Sequence, residues 1–369
     1  MPPRSSGPRR RHGRRRVRTD LPPDLGGTRR RRVAIVTTGG TIDSLGADRL
    51  DLAAYLETGN RLEPGALVAS VAPELAQVAD AVEVPFRRLR AHAMTDVDLA
   101  DLADLVRGLL GGTTGTTGTT GTADGVVITH GTNTLEETAW LLHLVLDTTA
   151  PVVLTGAMRP ASALGADGPL NLVSAVRLAA SPHAERQGVL VLLDDTIHGA
   201  RDVTKTNTLR TSAFADGAAG PLGWVDGDGA VVLAHIPGRG WQTPGRFAGV
   251  DLRALPRVDV LVTYQGADGA LIDAAVAAGA RGIVSAGTGA GYPTPLEVEA
   301  LERAARHGVA IVQASRVPAG RVPPVPSLAA RGFVAAGDLR PWKARILLRL
   351  ALAAGITDPT ALQALFDDA

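Results

Sequence analysis

The stretch VAIVTTGGT, residues 33–41, decides the fold of this chain. The run from Val33 to Thr38 is mostly apolar and β-branched, which favours a buried strand, and Gly39-Gly40 permits a sharp turn where that strand ends. From Arg31 onward, short runs of this kind alternate with longer helical patterns. This alternation predicts an α/β fold with a parallel-type sheet covered by helices on both faces.

The same alternation continues along the chain. Further strands are predicted at residues 125–129, 151–154, 188–193, 258–263, 282–285 and 309–313, and helices at 97–110, 170–180, 296–307, 341–354 and 358–368. Another helix should begin near Thr134, because TLEE at 134–137 fits a capping box between Thr134 and Glu137. A Gly- and Pro-containing stretch around 236–251 separates two sets of strands. We therefore predict a larger N-terminal domain, residues 33–240, and a smaller C-terminal α/β domain, residues 252–369.

Two segments fall outside this pattern. Residues 1–32 hold twelve arginines against two aspartates, so they carry a net charge of +10 and the remainder carries −9. Such a segment cannot bury enough apolar surface to order itself, and we expect a disordered tail. A nucleic-acid-binding arm is the alternative, but no aromatic residues interleave with the arginines, so nucleic acid is not the expected partner. Residues 111–123 form a Gly/Thr low-complexity insertion.

Composition excludes several classes of protein and site. The chain has 369 residues, 45% of them apolar, which suffices for two globular domains. It has no cysteine, and this removes disulfides, thiolate nucleophiles and cysteine-ligated metals. No apolar run is long enough to cross a bilayer and no signal-peptide pattern is evident, so we expect a cytoplasmic protein without a membrane partner.

Two corners of the predicted sheet are rich in hydroxyl groups. One is TTGGT at 37–41, and the other is GTNT at 131–134, directly before a helix. Ligands of open α/β sheets bind outside the carboxyl ends of the strands, where helix N-termini also point. Taken singly, each corner is equally typical of a glycine turn or a helix cap.

Lysine usage favours catalysis. Of 38 basic residues only Lys205 and Lys343 are lysines. Lysine can lose its proton when desolvated, whereas arginine stays charged, so a retained lysine suggests proton transfer. Lys205 lies in the polar stretch ARDVTKTNT, while Lys343 lies in the helical pattern PWKARILL, where we expect a surface position. Two threonines and Lys205 together suggest a threonine nucleophile.

At these residues the chain resembles the bacterial type I/II L-asparaginase family, whose members carry TGGTI and THGTDT-x-EET motifs. The corresponding segments here are TGGTI at 38–42 and THGTNTLEET at 129–138. GAMRP at 156–160, ADGPLN at 166–171, RDVTKTNT at 201–208 and GIVSAG at 282–287 follow in the same order. The resemblance runs from Val33 to the C-terminus and leaves out the arginine tail and the Gly/Thr insertion.

The resemblance implies hydrolysis of L-asparagine to L-aspartate and ammonia, with neither metal nor organic cofactor. Thr41 would be the nucleophile, Thr132 and Lys205 the proton-handling pair, and Tyr55, in the family's mobile flap, the activator of Thr41. Oxyanion contacts would come from backbone amides near Thr41 and Ala157, and Gly40 and Ala157 would contact the substrate. The family also implies a homotetramer, a dimer of dimers in which a neighbour completes each site; we assign such a role to Asp268.

Two positions depart from the family pattern. Asn133 stands where the family has an aspartate that binds the substrate's α-amino group. An amide at this position replaces a charge-assisted hydrogen bond, worth about 1.5–3 kcal/mol, by a neutral one worth about 0.5–1.5 kcal/mol. Ala91 falls at or near the serine that binds the substrate's carboxylate, and the adjacent His92 is the residue that can compensate.

Three alternatives stay open at this point. The first is a catalytically weakened amino-acid-binding protein of the same fold. The second is an asparaginase/glutaminase with relaxed side-chain preference, because only recognition residues depart from the family pattern. The third is a tRNA-dependent amidotransferase subunit with an asparaginase-like core. That family adds a folded N-terminal domain, and 32 arginine-rich residues are too few for one.

Overall fold

The computed structural model describes residues 29–111, 122–235 and 244–369. Residues 31–369 form one compact unit. Most of the arginine tail and of the Gly/Thr insertion lies outside the described residues, and so do residues 236–243 of the predicted interdomain stretch.

Strands and helices alternate through the described residues. The strands are β1 (Arg32–Thr37), β2 (Asp80–Pro85), β3 (Gly125–Thr129), β4 (Val152–Thr155), β5 (Val189–Leu193), β6 (Thr196–Gly199), β7 (Thr204–Lys205), β8 (Phe214–Ala215), β9 (Gly223–Val225), β10 (Val231–Leu233), β11 (Val258–Val262), β12 (Gly282–Gly287), β13 (Ala310–Ser315) and β14 (Val334–Ala335). The α-helices are α1 (Tyr55–Thr58), α2 (Ala66–Ala69), α3 (Ala72–Val78), α4 (Asp96–Leu109), α5 (Leu135–Val145), α6 (Gly168–Ala179), α7 (Ala270–Ala277), α8 (Pro295–Arg306), α9 (Pro326–Ala329), α10 (Pro341–Ala353) and α11 (Pro359–Asp368). The predicted elements are confirmed to within a few residues.

The larger sheet has the order β10-β9-β6-β5-β4-β3-β1-β2. Its strands β2, β1, β3, β4 and β5 pair in parallel, whereas β6, β9 and β10 pair antiparallel. Thr37 is in register with Thr129, and Thr129 with Thr155. Strands β1, β3 and β4 therefore end at the same level of the sheet, and the loops that follow them lie side by side.

Helices cover both faces of this sheet because alternate residues of its strands point to opposite sides. Val33 and Ile35 pack in a cluster with α3 and α6, while Ala34 and Val36 pack in a cluster with α4 and α5. The predicted two-domain α/β fold with a larger, mainly parallel sheet is confirmed.

The smaller sheet has the order β11-β12-β13-β14, all parallel, with α7 and α8 on one face. Helix α10 covers the other face and also packs against α5 of the larger domain. Val284 of β12 and Leu347 of α10 accordingly share a hydrophobic cluster with Val36 of β1. This shared cluster joins the two domains through α10.

Two local predictions are wrong. The capping box at Thr134 does not form, because the Thr134 hydroxyl donates to the Ala91 carbonyl oxygen, 3.0 Å away, instead of serving its own helix. Lys343 is not at the surface: its side chain is fully buried. In both cases the side chain binds a loop that is distant in sequence: Thr134, at the start of α5, binds the Ala91 loop, and Lys343 of α10 binds the turn at Ala200.

None of the described helices combines the length and the apolar character needed to span a bilayer.

Candidate active site

The site is built around a direct backbone contact between Gly40 and Gly131. Gly40 has φ +109°, and a Cβ atom on it would lie 2.7 Å from the Gly131 Cα. A Cβ atom on Gly131 would in turn lie 2.8 Å from the Ala91 Cβ. Real Cβ atoms do not approach so closely, so both positions require glycine. The contact brings the residues that follow, Thr41 and Thr132, onto adjoining loops.

Thr41 forms the first polar pair of the site. It begins a short 3₁₀ helix, Thr41–Asp43, and its hydroxyl is 2.9 Å from the Tyr55 hydroxyl, with either oxygen able to donate. Both residues are buried. Burial raises the pKa of the Tyr55 phenol, and the Asp167 and Asp51 charges raise it further against the lowering effect of the Thr41 hydrogen bond. Tyr55 is therefore neutral at ordinary pH and available as a hydrogen-bond partner for Thr41.

Thr132 forms the second pair. Lys205 donates from Nζ to the Thr132 hydroxyl oxygen over 2.8 Å. Burial lowers the pKa of Lys205 below its usual 10.5, while the nearby Glu136 charge raises it. Lys205 therefore loses its proton at a lower pH than an exposed lysine does, and this suits the amine to accept and return a proton.

Glu136 supports this second pair, and the sequence reading missed it. It is the first glutamate after the THGTNT segment and is buried on α5. Its carboxylate accepts the backbone N–H of Lys205 at 3.1 Å and the indole N–H of Trp342 at 2.9 Å. The carboxylate therefore holds the backbone of the segment that carries Lys205.

His130 is a second missed residue. Its ring is fully buried, with Nδ1 2.8 Å from the Gly131 carbonyl oxygen and Nε2 3.1 Å from the Thr138 hydroxyl. Burial lowers its pKa to about 4. The neutral ring donates from Nδ1 to the carbonyl and accepts from Thr138, so it fixes the peptide that precedes Thr132.

The loop after β4 carries the predicted oxyanion residue Ala157. A Cβ atom on the preceding Gly156 would lie 2.5 Å from the His130 carbonyl oxygen and 3.3 Å from Thr132 Cγ2. The Asp167 carboxylate accepts the N–H groups of Met158 and Arg159, both at 2.9 Å, and holds this loop. The structure thus places Ala157 next to the Thr132 loop.

The substituted recognition positions also converge. Ala91 is buried against Gly131, and the exposed His92 follows it in a 3₁₀ turn. Asn133 is exposed beside Thr132, and its Nδ2 lies 3.3 Å from His92 Nδ1. The amide and the imidazole therefore line the space where the resemblance puts a carboxylate and a hydroxyl.

Asp268 lies apart from these residues, in the smaller domain. It is exposed, and its carboxylate accepts the N–H of Ala270 at the start of α7. A role for Asp268 in catalysis requires the site of a neighbouring chain.

The assembled groups define a class of chemistry. Two hydroxyls, each hydrogen-bonded to an ionisable side chain, stand on adjoining loops at the carboxyl edge of a parallel sheet. A hydroxyl beside such a partner is the kind of group that acyl transfer uses as a nucleophile. Within the described residues, no group of three or more His, Asp or Glu side chains is arranged to hold a metal ion. The chain thus combines a two-domain α/β fold with two partnered threonine hydroxyls, a set of groups suited to a hydrolase.

Comparison with known proteins specifies this class. Residues 32–237 match the family described as "Asparaginase, N-terminal", and residues 257–366 match "Glutaminase/Asparaginase C-terminal domain". The chain therefore belongs to the asparaginase family of amidohydrolases.

Individual relatives agree with this membership. "L-asparaginase 2" of Bacillus subtilis (strain 168) is 42% identical over 66% of this chain and 64% of its own length. "Glutaminase-asparaginase" of Acinetobacter glutaminasificans is 38% identical over 87% of this chain and 94% of its own. The solved structure "Probable Cytoplasmic L-asparaginase from Campylobacter jejuni" superimposes with a TM-score of 0.82 at 36% identity, over 91% of this chain and 99% of that one.

The buried His130 predicts a specific dependence of stability on pH. Its pKa falls from 6.5 in the unfolded chain to about 4 in the folded protein. The unfolded state then binds the extra proton first, so His130 costs no stability above pH 6.5 and up to about 3 kcal/mol as pH falls toward 4. Urea unfolding of wild type and His130→Gln between about pH 7 and 4.5 should show the loss only in wild type.

His307→Gln is the matched control, since it removes an exposed histidine at the end of α8. It should follow the wild-type pH dependence to within about 0.5 kcal/mol. Equal slopes for His130→Gln and wild type would contradict the assignment of a buried, neutral ring.

Proposed function

We propose that the chain hydrolyses the side-chain amide of L-asparagine to L-aspartate and ammonia, with Thr41 as the nucleophile. The observation that carries the proposal is the pairing of Thr41 with Tyr55 and of Thr132 with Lys205 on loops held together by Gly40 and Gly131. The names of the relatives support asparagine as a substrate.

In the proposed reaction, the Thr41 hydroxyl attacks the amide carbon while Tyr55 orients it by a hydrogen bond, and the Thr41 proton is transferred by way of the Thr132 hydroxyl to the neutral Lys205 amine. Backbone N–H groups near Thr41 and Ala157 stabilise the negative charge on the amide oxygen. The C–N bond breaks, nitrogen takes up a proton and leaves as ammonia, and an ester to Thr41 remains. Water, deprotonated through Thr132 and Lys205, then attacks the ester and releases aspartate and the Thr41 hydroxyl.

A second substrate has its own support. Glutaminase-asparaginases are among the relatives, and the Acinetobacter protein aligns over most of its length. The exposed Asn133 and His92 supply no carboxylate to hold the substrate's ammonium group. A loosely held ammonium weakens the discrimination between asparagine and glutamine, which differ in the distance from that group to the amide. We propose L-glutamine as the slower alternative substrate. A cytoplasmic location stays a prediction, supported by the name of the Campylobacter neighbour.

Thr41→Ala and Thr132→Ala should each lower kcat for ammonia release from L-asparagine by at least about 10³-fold, as removal of a covalent nucleophile or its partner does. Steady-state assays with L-asparagine, L-glutamine and D-asparagine measure this. Thr196→Ala is the control, because that hydroxyl only bonds the nearby Asp194 carbonyl. Thermal stabilisation by aspartate without any ammonia release would instead support the amino-acid-binding alternative.

Asn133→Asp should lower KM for L-asparagine about tenfold, because a charge-assisted hydrogen bond replaces a neutral one and adds about 1–1.5 kcal/mol. Asn207→Asp makes the same change at a half-buried position two residues from Lys205, where the side-chain oxygen accepts the Leu209 and Arg210 N–H groups, and should move KM by less than about twofold. An unchanged KM in Asn133→Asp would show that residue 133 does not bind the ammonium group.

We also propose self-association into a homotetramer through the smaller domain. Its surface exposes a set of large apolar side chains where β11 and β12 end and α7 and α8 begin: Val262, Tyr264, Leu271, Tyr292 and Leu296. Neighbouring parallel strands end at one edge, so these side chains share a surface with Asp268, and such patches are typical of interfaces.

Leu271→Glu combined with Tyr292→Glu should reduce the mass in solution from about four chains to one or two, because charges would be buried at the interface. Light scattering measures the mass. Leu209→Glu, at an exposed leucine outside the smaller domain, should not change it. A wild-type protein that is monomeric at assay concentration would overturn the tetramer and the role of Asp268 together.

A further inference from the structure

Lys343 is the second of only two lysines in the chain and has no place in the reaction above. It lies on α10 with its side chain fully buried. Its Nζ donates to the carbonyl oxygens of Ala200, Arg201 and Val203 at 2.8, 2.7 and 2.6 Å. Three acceptors use all three N–H groups of an ammonium ion, so its burial is fully compensated.

The three carbonyls belong to one turn, which joins β6 to β7. Strand β7 is only two residues long, Thr204–Lys205, and pairs with the equally short β8. So short a pairing gives the backbone little support of its own. The ammonium of Lys343 therefore fixes three peptides of the turn that leads into Lys205.

The neighbouring Trp342 supports the same segment from the other end. Its indole N–H donates to Glu136, and Glu136 accepts the backbone N–H of Lys205. The backbone carbonyl of Lys343 meanwhile accepts from the Trp140 indole, which fastens α10 to α5. Adjacent residues of one C-terminal helix thus hold the Lys205 segment on both sides.

We propose that Lys343 is a positioning residue for catalysis, which holds the Lys205 segment so that Lys205 Nζ reaches the Thr132 hydroxyl. The inference rests on the proposed function. Arginine would not replace it, because a planar guanidinium cannot point three N–H groups at one turn of backbone as a compact ammonium does. Burial lowers the pKa of Lys343 to about 8, and Glu136 and Asp202 are among the charges that oppose this, so the group is largely protonated at neutral pH.

The test compares Lys343→Met with Arg349→Met. Lys343→Met keeps an apolar stem and removes the three donors; we expect kcat to fall about 10²-fold with KM within about threefold, since misplacement of a catalytic group by about 1 Å has this effect. Arg349→Met removes another buried cation of the same helix, one that pairs with Asp96 and does not touch the Lys205 segment. It should retain kcat within about threefold even if its melting temperature falls equally.

A second readout does not depend on turnover. In Lys343→Met protein labelled with ¹³C-lysine, the single remaining lysine signal is that of Lys205, and its titration reports its surroundings directly. The Lys205 pKa should move up toward 10.5, because a released side chain regains water. Trp342→Phe, which keeps the ring packing and frees Glu136, should change kcat and the titration in the same direction by a smaller factor, and serves if Lys343→Met does not fold.

Wild-type kcat and an unmoved Lys205 titration in folded Lys343→Met would overturn the proposal, and so would an equal loss of kcat in Arg349→Met. If the wild-type protein releases no ammonia from any amide, the proposed function fails. The lysine titration then still decides whether Lys343 positions Lys205.

Discussion

The rest of the structure depends on one steric constraint, the contact between the backbones of Gly40 and Gly131. Two loops can meet there only because neither carries a side chain at that point. The level ends of β1 and β3 bring the loops to the same edge of the sheet, and the glycine contact sets their separation. Thr41 and Thr132 are the next residues along each loop, so their approach follows from the backbone rather than from attraction between the side chains. Polar partners then act on the hydroxyls that these adjoining loops carry: Tyr55 on that of Thr41 and Lys205 on that of Thr132.

The larger domain does not complete this arrangement alone. Helix α10 comes from the C-terminal part of the chain, yet its first turn reaches the segment of Lys205 through Trp342 and Lys343. Buried charges are costly unless hydrogen bonds satisfy them, and the buried charges of Lys343 and Glu136 both end on backbone groups or on an indole. Removal of one partner would leave the others buried without a partner. The shared hydrophobic cluster around Leu347 keeps α10 in place and thereby joins the packing of the domains to the geometry of the site.

Much of this was predictable because the local signals agree. β-Branched runs such as Val33 to Thr38, which ends at Gly39-Gly40, predict the strands, and the hydroxyl-rich corners at strand ends single out Thr41 and Thr132 as candidates. The missed features depend on contacts distant in sequence. The Thr134 hydroxyl turns to the Ala91 carbonyl, 43 residues away, instead of capping α5. Lys343 reads as a surface residue because a helical pattern does not show that three carbonyls of a distant turn point at one spot. The scarcity of lysine was the one sequence signal that could have indicated a special role for Lys343, because it applies to Lys343 as much as to Lys205. The domain bounds 33–240 and 252–369 stay a prediction.

Burial shifts the pKa values of Tyr55 and Lys205, the partners of the two threonines, in opposite directions. Burial opposes the charged form of any group, so it raises the pKa of the Tyr55 phenol and lowers that of the Lys205 amine. Both changes favour the neutral group, but a neutral phenol still holds a proton to donate, whereas a neutral amine has a lone pair to accept one. In the proposed mechanism, Tyr55 therefore serves as a hydrogen-bond partner that orients Thr41, and the Lys205 amine serves as the proton acceptor beside Thr132. Glu136 limits the effect on Lys205, since its charge favours the ammonium form while its carboxylate holds the backbone. The separate roles proposed for the two threonines therefore rest on the identity of their partners, Tyr55 for Thr41 and Lys205 for Thr132.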